Sequence, residues 1–389
     1  MDRTCFLFNH DQLHQVAHSL PIALALAKRK PGSITLAVTT EKTERHVRDL
    51  CGASIDECNV VRLGLESALS RGLETTLEGL IPARKLAVYR ENLDFFRGFD
   101  ALVVSEKTSL LLKTRYGLDH LRIVHTRHGA GDRAIGFGPE SALFDLTLVS
   151  GPKVARRLVA EAGADPARVA VVGYPKFDIY ADNTAPVPFA DPTKPVVLYA
   201  PHPSPRLSSW YRMGEAVLEA FYCTDRYNLI FAPHVMLFTR PWTVTIAPPA
   251  IRRARRPDRR YSAAPHIHID LGSPASSDMR YTNAADVYVG DVSSQVYEFL
   301  YRPRPCLHLN AHGVAWEHDP SYAHWRTGGV LGPGQDIIAA VDRAIDTHDQ
   351  YLPAQRALFD DTFSLTEEPS AERAAQAIRE FLERDGRNA

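Results

Sequence analysis

What this sequence has little of narrows the field first. It has almost no net charge: 45 Lys and Arg stand against 46 Asp and Glu, a formal balance of −1 over 389 residues. There is no global field to gather nucleic acid or draw the chain to a membrane, so no nucleic-acid partner is expected and any anion must be held by a local patch. Cysteine is scarce. Cys5, Cys51, Cys58, Cys223 and Cys306 are odd in number and form no C-x-x-C pair, which excludes a disulfide scaffold or zinc ribbon and suits a reducing compartment. Long apolar runs are missing too. Leu20–Ala27 contains Pro21 and falls far short of the ~20 residues that span a bilayer. Cys5–Phe8 meets Asn9-His10-Asp11 too soon for a secretory signal. The expectation is a soluble, cytoplasmic protein. Several catalytic signatures are absent: G-x-x-x-x-G-K-[ST], G-x-G-x-x-G after the first strand, H-E-x-x-H, G-x-S-x-G, and D-x-D at a strand end. This argues against a P-loop NTPase, a classical dehydrogenase, a zincin, an α/β-hydrolase and a metal-dependent nucleotide-sugar site of that kind. No metal ligand set is expected, and no motif supports a divalent ion such as Mg.

What is present is a chain able to bury sizeable cores, with 45% hydrophobic residues, and long enough for about two domains at ~100–200 residues each. Short β-rich runs alternate with longer helical patterns, the signature of parallel α/β sheets. The spacing predicts strands at Cys5–Asn9, Ser33–Thr39, Ala101–Ser105, Leu121–Thr126, Leu146–Ser150 and Val169–Gly173, with helices over Gln12–Lys30, Glu78–Phe96 and Pro152–Ala162. The strands are near-continuously apolar, which implies sheets covered on both faces. Ala181–Pro195, with four prolines and no apolar periodicity, reads as a linker. A second alternation follows, with strands at Val196–Ala200, Asn228–Ala232, Ile267–Leu271, Asp286–Gly290 and Cys306–Leu309. Helices are predicted over Trp210–Cys223, Ser294–Tyr301, Gln335–His348 and Ala371–Arg384. The expected fold is α/β: two Rossmann-like, doubly wound domains facing a cleft. The boundaries are residues 1–182 and 183–370, with a C-terminal helix over 371–389 that packs back on the first domain.

Five groups of residues could carry chemistry. In Ala285–Asn310 a buried strand runs into Asp291-Val292-Ser293-Ser294 and then a helix opens. Ligands of doubly wound sheets lie outside the carboxyl ends of the strands. Free N–H groups at the helix start and two serine hydroxyls would cradle a phosphate there. Glu298, one turn on, could accept the hydroxyls of a ribose. The alternative is that Asp291 or Ser293 merely caps the helix and Glu298 is solvated. In Leu121–Gly138 a strand delivers Arg127 and His128 to its end, beside Gly129 and Gly131. His128 has the chemistry of a general base. Asp132 could orient its ring, and Arg127 and Arg133 could neutralise phosphate. The alternative is a polar turn. His202, Arg206 and His234 follow two successive strands of the second half, each in a proline-stiffened loop. Gly173–Asp178, GYPKFD, reads best as a structural turn at the exit from the first half. Finally, the basic run Ile251–Arg260 carries six arginines. It is either a solvated loop or a hook for an anionic acceptor or a membrane surface, and it lacks the aromatic interleaving of a single-strand nucleic-acid platform.

The order of these segments resembles the CDP-glycerol glycerophosphotransferase family, the polymerases and primases of teichoic-acid-type polymers. The segments are R-H-G-A-G at Arg127–Gly131, G-Y-P-K-F-D at Gly173–Asp178, L-Y-A-P-H-P-S-P-R at Leu198–Arg206, A-P-H-V at Ala232–Val235 and D-V-S-S-Q-V-Y-E from Asp291 with Arg304-Pro305 after it. The helix S-A-E-R-A-A-Q-A-I at Ser370–Ile378 closes the match, which spans roughly Leu121 to Ile378. The chain departs from the family at Arg127, where the family has Trp, at Ala130-Gly131 for Thr-Pro, at Val292 for Tyr, and at Pro233-His234, an inverted His-Pro. The resemblance implies a GT-B-like fold with an acceptor-side first domain and a nucleotide-donor-binding second domain. It implies CDP-glycerol as donor, a glycolipid or polymer hydroxyl as acceptor, and a place in cell-envelope or capsule synthesis, peripheral at the inner membrane face through Arg252–Arg260. Under it His128 and His234, with Asp132, are candidates for acid–base and phosphate contacts, Ser293, Ser294, Asp291 and Arg206 hold the donor diphosphate, Glu298 stands at the ribose, and Arg127, Arg133 and His202 contact the acceptor or a phosphate. Two other readings use similar contacts: a GT-B glycosyltransferase or UDP-sugar 2-epimerase-like enzyme, and a catalytically inactive GT-B-like binding subunit.

Overall fold

The computed structural model of the chain describes residues 3–9, 12–65, 83–184, 186–239, 242–245 and 250–386. The chain divides into two compact units. The first comprises residues 1–128, 135–179 and 361–389, and the second 129–134 and 180–360.

The first unit is built on strands β1 (Thr4–Phe8), β2 (Ile34–Val38), β3 (Cys58–Arg62), β4 (Ala101–Val104), β5 (Arg122–Thr126), β6 (Leu146–Val149) and β7 (Val169–Val171). They form one seven-stranded sheet in the order β3-β2-β1-β4-β5-β6-β7, every neighbouring pair parallel. Strands β1 and β2 are buried at every position, in keeping with their near-continuously apolar sequences and with helices on both faces. Strand β3, which the sequence pattern did not reveal, is the half-exposed edge. The predicted helix over Gln12–Lys30 is two pieces, a 3₁₀ turn at Leu13–His18 and an α-helix at Leu20–Arg29 with Pro21 in its first turn. Proline lacks the N–H that a helix interior needs, so it marks a start rather than a middle.

The C-terminal helix Ser370–Gly386 belongs to this unit. Ala371, Ala374, Ala375 and Ile378 recur at helical spacing and are buried in the same core as Leu20, Ile22 and Ala23. GYPKFD anchors the helix. Tyr174 donates its backbone N–H to Ser370 Oγ at 2.9 Å, and the Asp178 carboxylate accepts from the N–H groups of Ser370 and Ala371 at 3.1 and 2.7 Å. Asp178 thus serves as an N-cap supplied from another part of the chain. Gly173, at φ +90°, is required there: a Cβ would lie 2.4 Å from Ser370 Oγ.

The second unit carries β8 (Val196–Ala200), β9 (Asn228–Phe231), β12 (Ile267–Ile269), β13 (Val287–Gly290), β14 (Cys306–Leu309) and β15 (Gly329–Leu331). Their order is β12-β9-β8-β13-β14-β15, all parallel. Both sheets therefore follow the doubly wound pattern, with strand order reversing at β1/β4 and at β8/β13. A small antiparallel hairpin, β10 (Trp242–Thr245) with β11 (Ala250–Arg253), is added to the second unit. It takes up the start of the basic run. Residues 186–195, within the predicted linker, carry no helix or strand.

Candidate functional site

In the first unit β5 ends at Thr126 and delivers His128 to the surface, where its side chain is exposed. Its Nδ1 lies 2.8 Å from the carbonyl oxygen of Ser105, which follows the neighbouring strand β4. A carbonyl can only accept, so Nδ1 carries the proton and Nε2 keeps its lone pair. Sequence reasoning gave the orienting role to Asp132; the partner found at Nδ1 is a backbone carbonyl, which no sequence signal announces. Arg127 also differs from its expected part. Its guanidinium lies 4.6 Å from the Phe137 ring centre, with Arg157 on the same ring at 3.8 Å, and Nη1 donates to the Gly136 carbonyl at 2.6 Å. Burial lowers its pKa to about 10, with Arg157 adding to the effect. It braces the turn after β5 rather than standing open to a phosphate. Buried His125, stacked on Phe144 at 4.3 Å, is held well below the usual histidine pKa, chiefly by desolvation.

The second unit gathers most of the other candidates at the reversal of its strand order. Asp291, the residue after β13, is fully buried. Its carboxylate accepts from the N–H groups of His202, Ser209 and Val292 and from the Ser209 hydroxyl, at 2.5 to 2.9 Å. His324 Nε2 and Trp325 Nε1 both reach its backbone carbonyl, at 3.0 and 2.9 Å. Burial pushes its pKa up, and the backbone and hydroxyl donors oppose that shift. These bonds lace the loop after β8 to the loop after β13. Asp291 was expected on the donor diphosphate; an anion engaged so fully by its own chain positions the loops instead.

Ser293 is buried and Ser294 exposed, and the short helix Gln295–Phe299 opens directly after them. Glu298 on that helix is buried, which excludes the solvated-face alternative. Over this turn lies the loop 129–134, which belongs to the same unit. A Cβ on Gly129, whose φ is +74°, would lie 3.4 Å from Ser294 Oγ, and one on Gly131 would lie 3.1 Å from Ser294 Cβ. The glycines thus serve close approach to the serine turn as well as chain reversal. Asp132, on this loop and buried, accepts a hydrogen bond from the Tyr297 hydroxyl and lies 3.5 Å from His324 Nδ1. Tyr297 and His324 escaped the sequence reading. Tyr297 does occupy a fixed place in the serine motif, whereas His324 lies nearly two hundred residues from its partner and leaves no local mark.

The two His–Pro loops come together. The rings of His202 and His234, after β8 and β9, are 6.2 Å apart. His202 Nδ1 accepts from Ser204 N–H at 3.0 Å, and Arg133 sets a guanidinium nitrogen 2.5 Å from Nε2. A guanidinium can only donate, so Nε2 keeps its lone pair and a second ring proton, which would face Arg133, is disfavoured. Burial, then Arg133 and His234, hold the pKa of His202 far below its ordinary value. His202 is therefore a neutral, enclosed ring that carries Arg133, not an open phosphate contact. Half-buried His234 accepts from the Met236 N–H at Nδ1, 3.2 Å away, which leaves Nε2–H as its donor. Arg206 is exposed and lines a groove with the basic run. Among the described residues no group of three or more His, Cys, Asp or Glu side chains could hold a metal ion, and no helix is long and apolar enough to cross a membrane.

Two doubly wound parallel sheets, of seven and six strands, make this a two-domain α/β protein of the GT-B fold. The sequence matches no known family profile and no curated protein. The fold is similar to that of the wall teichoic acid polymerase TagF, with 13% identity over 99% of this chain and 89% of that one, at a TM-score of 0.59. TagF has also been solved as a variant soaked with CDPG. The S. aureus MnaA–UDP complex is similar over 98% of this chain and 97% of its own, with 15% identity and a TM-score of 0.63. The calicheamicin glycosyltransferase CalG4 is similar over 99% of both chains, with 17% identity and a TM-score of 0.53.

Proposed function

We propose that this chain is a transferase that moves an alditol phosphate, glycerol phosphate first among them, from a CDP-activated donor to a hydroxyl acceptor and releases CMP. The acceptor oxygen attacks the β-phosphorus, the bond from that phosphorus to the CMP oxygen breaks, and the acceptor proton passes to His128 Nε2. The observation that carries the reading is the Nδ1–H bond of His128 to the Ser105 carbonyl, which fixes the tautomer with the basic lone pair on Nε2 of an exposed ring. General-base help of this kind is worth ~10²–10⁴-fold. Ser293 and Ser294 bind the donor diphosphate, and His234, through Nε2–H, supports charge on the phosphoryl oxygens. Glu298 takes the ribose hydroxyls. Asp132, Asp291 and His202 hold the loops that present these groups. The resemblance of the motif series and the likeness to TagF support the CDP donor.

The likeness to a UDP-bound structure favours a second reading, in which a UDP-sugar occupies the same contacts and a C–O bond breaks. The nucleotide released decides between them. Incubation with CDP-glycerol and a glycerol-phosphate-primed acceptor should yield CMP, while UDP-sugars should yield nothing. His128→Ala should abolish turnover and leave CDP affinity within about twofold. UDP release, or retained turnover in His128→Ala, overturns the proposal. Calorimetry that finds no CDP or UDP compound bound would identify a silent binding subunit.

A further inference from the structure

The basic run and Arg206, separated by more than forty residues in sequence, meet in one groove of the second unit. We propose that this groove is a second anion site that takes a linear phosphate polyanion, apart from any nucleotide and independent of the transferase reading. Its volume is about 900 Å³, near the top of the ~300–1,000 Å³ range of ligand sites and far beyond the needs of one phosphate. Six arginines line it: Arg206 after β8, Arg212 on the helix Trp210–Tyr222, Arg252 and Arg253 on β11, and Arg255 and Arg256 beyond. Glu215 and Asp258 are its acidic lining residues, so six positive charges less two negative leave +4 in a chain of net −1.

These charges are not spent internally. Among the described residues no ion pair engages Arg206, Arg252, Arg253, Arg255 or Arg256. Arg260, at the end of the same run, does pair with Glu219. The wall that carries the arginines is fixed in place. Trp210 Nε1 donates to the Arg255 carbonyl at 3.1 Å, and the Tyr211 hydroxyl bonds Thr243 Oγ1, on the hairpin, at 3.3 Å. Like charges crowded on a fixed wall repel one another, and an anion threaded between them relieves that repulsion while guanidinium forks grip its oxygens. A chain of phosphates suits the geometry better than a bilayer, because a planar surface cannot enter a concavity and a flexible chain can.

The test uses the full-length protein and labelled long-chain inorganic polyphosphate, read by fluorescence anisotropy. With five arginines engaged, affinity should fall with a log–log salt slope of about 3.5, which is roughly a hundredfold loss between 50 and 200 mM salt. Arg252→Glu with Arg256→Glu should weaken binding at least thirtyfold. The milder Arg252→Gln with Arg256→Gln, which guards against misfolding, should flatten the slope to about 2. Pyrophosphate should bind at least tenfold more weakly than the chain. Absence of polyphosphate binding, or binding unmoved in both double variants, overturns the inference. So does binding to phosphatidylglycerol vesicles that polyphosphate cannot displace, which would make the groove a membrane contact. CDP affinity, measured on the same proteins, should not move. A wild type that binds polyphosphate but no CDP would sink the transferase reading alone.

Discussion

Removing one hydroxyl, in Tyr297→Phe, isolates the bond that ties the loop 129–134 to the serine turn. The Tyr297 hydroxyl donates to the carboxylate of Asp132, and both residues are almost fully buried. A hydrogen bond to a charged group is worth ~1.5–3 kcal/mol, and the full cost is felt when the remaining partner stays out of water. For a unit of this size, each kcal/mol shifts the midpoint by ~2–4 °C. The expected drop is therefore about 3–12 °C, read by scanning calorimetry in the transition that belongs to the second unit. Asp132→Asn keeps an oxygen that can accept from Tyr297 and removes the charge, so Tyr297→Phe should cost clearly less in that background. A double-mutant cycle should give a coupling of roughly 1–3 kcal/mol. A drop below 1 °C, or effects that simply add, would refute the claim that this bond holds the loop.

Acid should destabilise the protein through rings that fold neutral. Burial holds His125, His202 and His308 well below the ordinary pKa, so their contribution is complete above the unfolded value near 6.5 and fades as pH falls below it. Each ring adds a limiting slope of ~1.4 kcal/mol per pH unit. Denaturant midpoints at pH 7.5 and 5.5 should differ accordingly, and equal midpoints would count against buried neutral rings. Asp178→Ala should cost ~1–2 kcal/mol, since it strips the cap from Ser370–Gly386; hydrogen exchange should rise first in that helix, and unchanged protection there would contradict the capping role. Ser293→Ala and Ser294→Ala should each weaken CDP binding roughly ten- to a hundredfold if each hydroxyl meets a charged phosphate. Titration calorimetry showing unaltered affinity would remove them from the donor site.

The sheets were legible because their strands are short and apolar, and because turn residues punctuate them. Val196–Ala200 and Cys306–Leu309 have the bounds that their sequences suggest. The missed elements share a physical excuse. Edge strand Cys58–Arg62 is only partly buried and carries no unbroken apolar signal. Gly329–Leu331 is three residues long, too short for any periodicity. Helix Glu41–Cys51 is so charged that its buried face is reduced to Thr43, Val47 and Cys51, and helix His348–Thr362 contains Pro353, which ordinarily argues for a break. At the candidate site, residue types were readable and partners were not. Nothing near His128 points to a carbonyl at Ser105, and Asp132 and Tyr297 stand 165 positions apart. Such pairs exist only once both sheets have formed.

Because residues 129–134 are a short excursion of the first half into the second unit, neither unit is one continuous stretch of chain. A fragment cut at the proline-rich segment, however well its strands were preserved, would leave Tyr297 and His324 facing the space where Asp132 belongs. Dissection of this protein by truncation would therefore produce a second unit already missing a piece of its own interior, and circular permutation would have to spare that six-residue bridge to keep it whole.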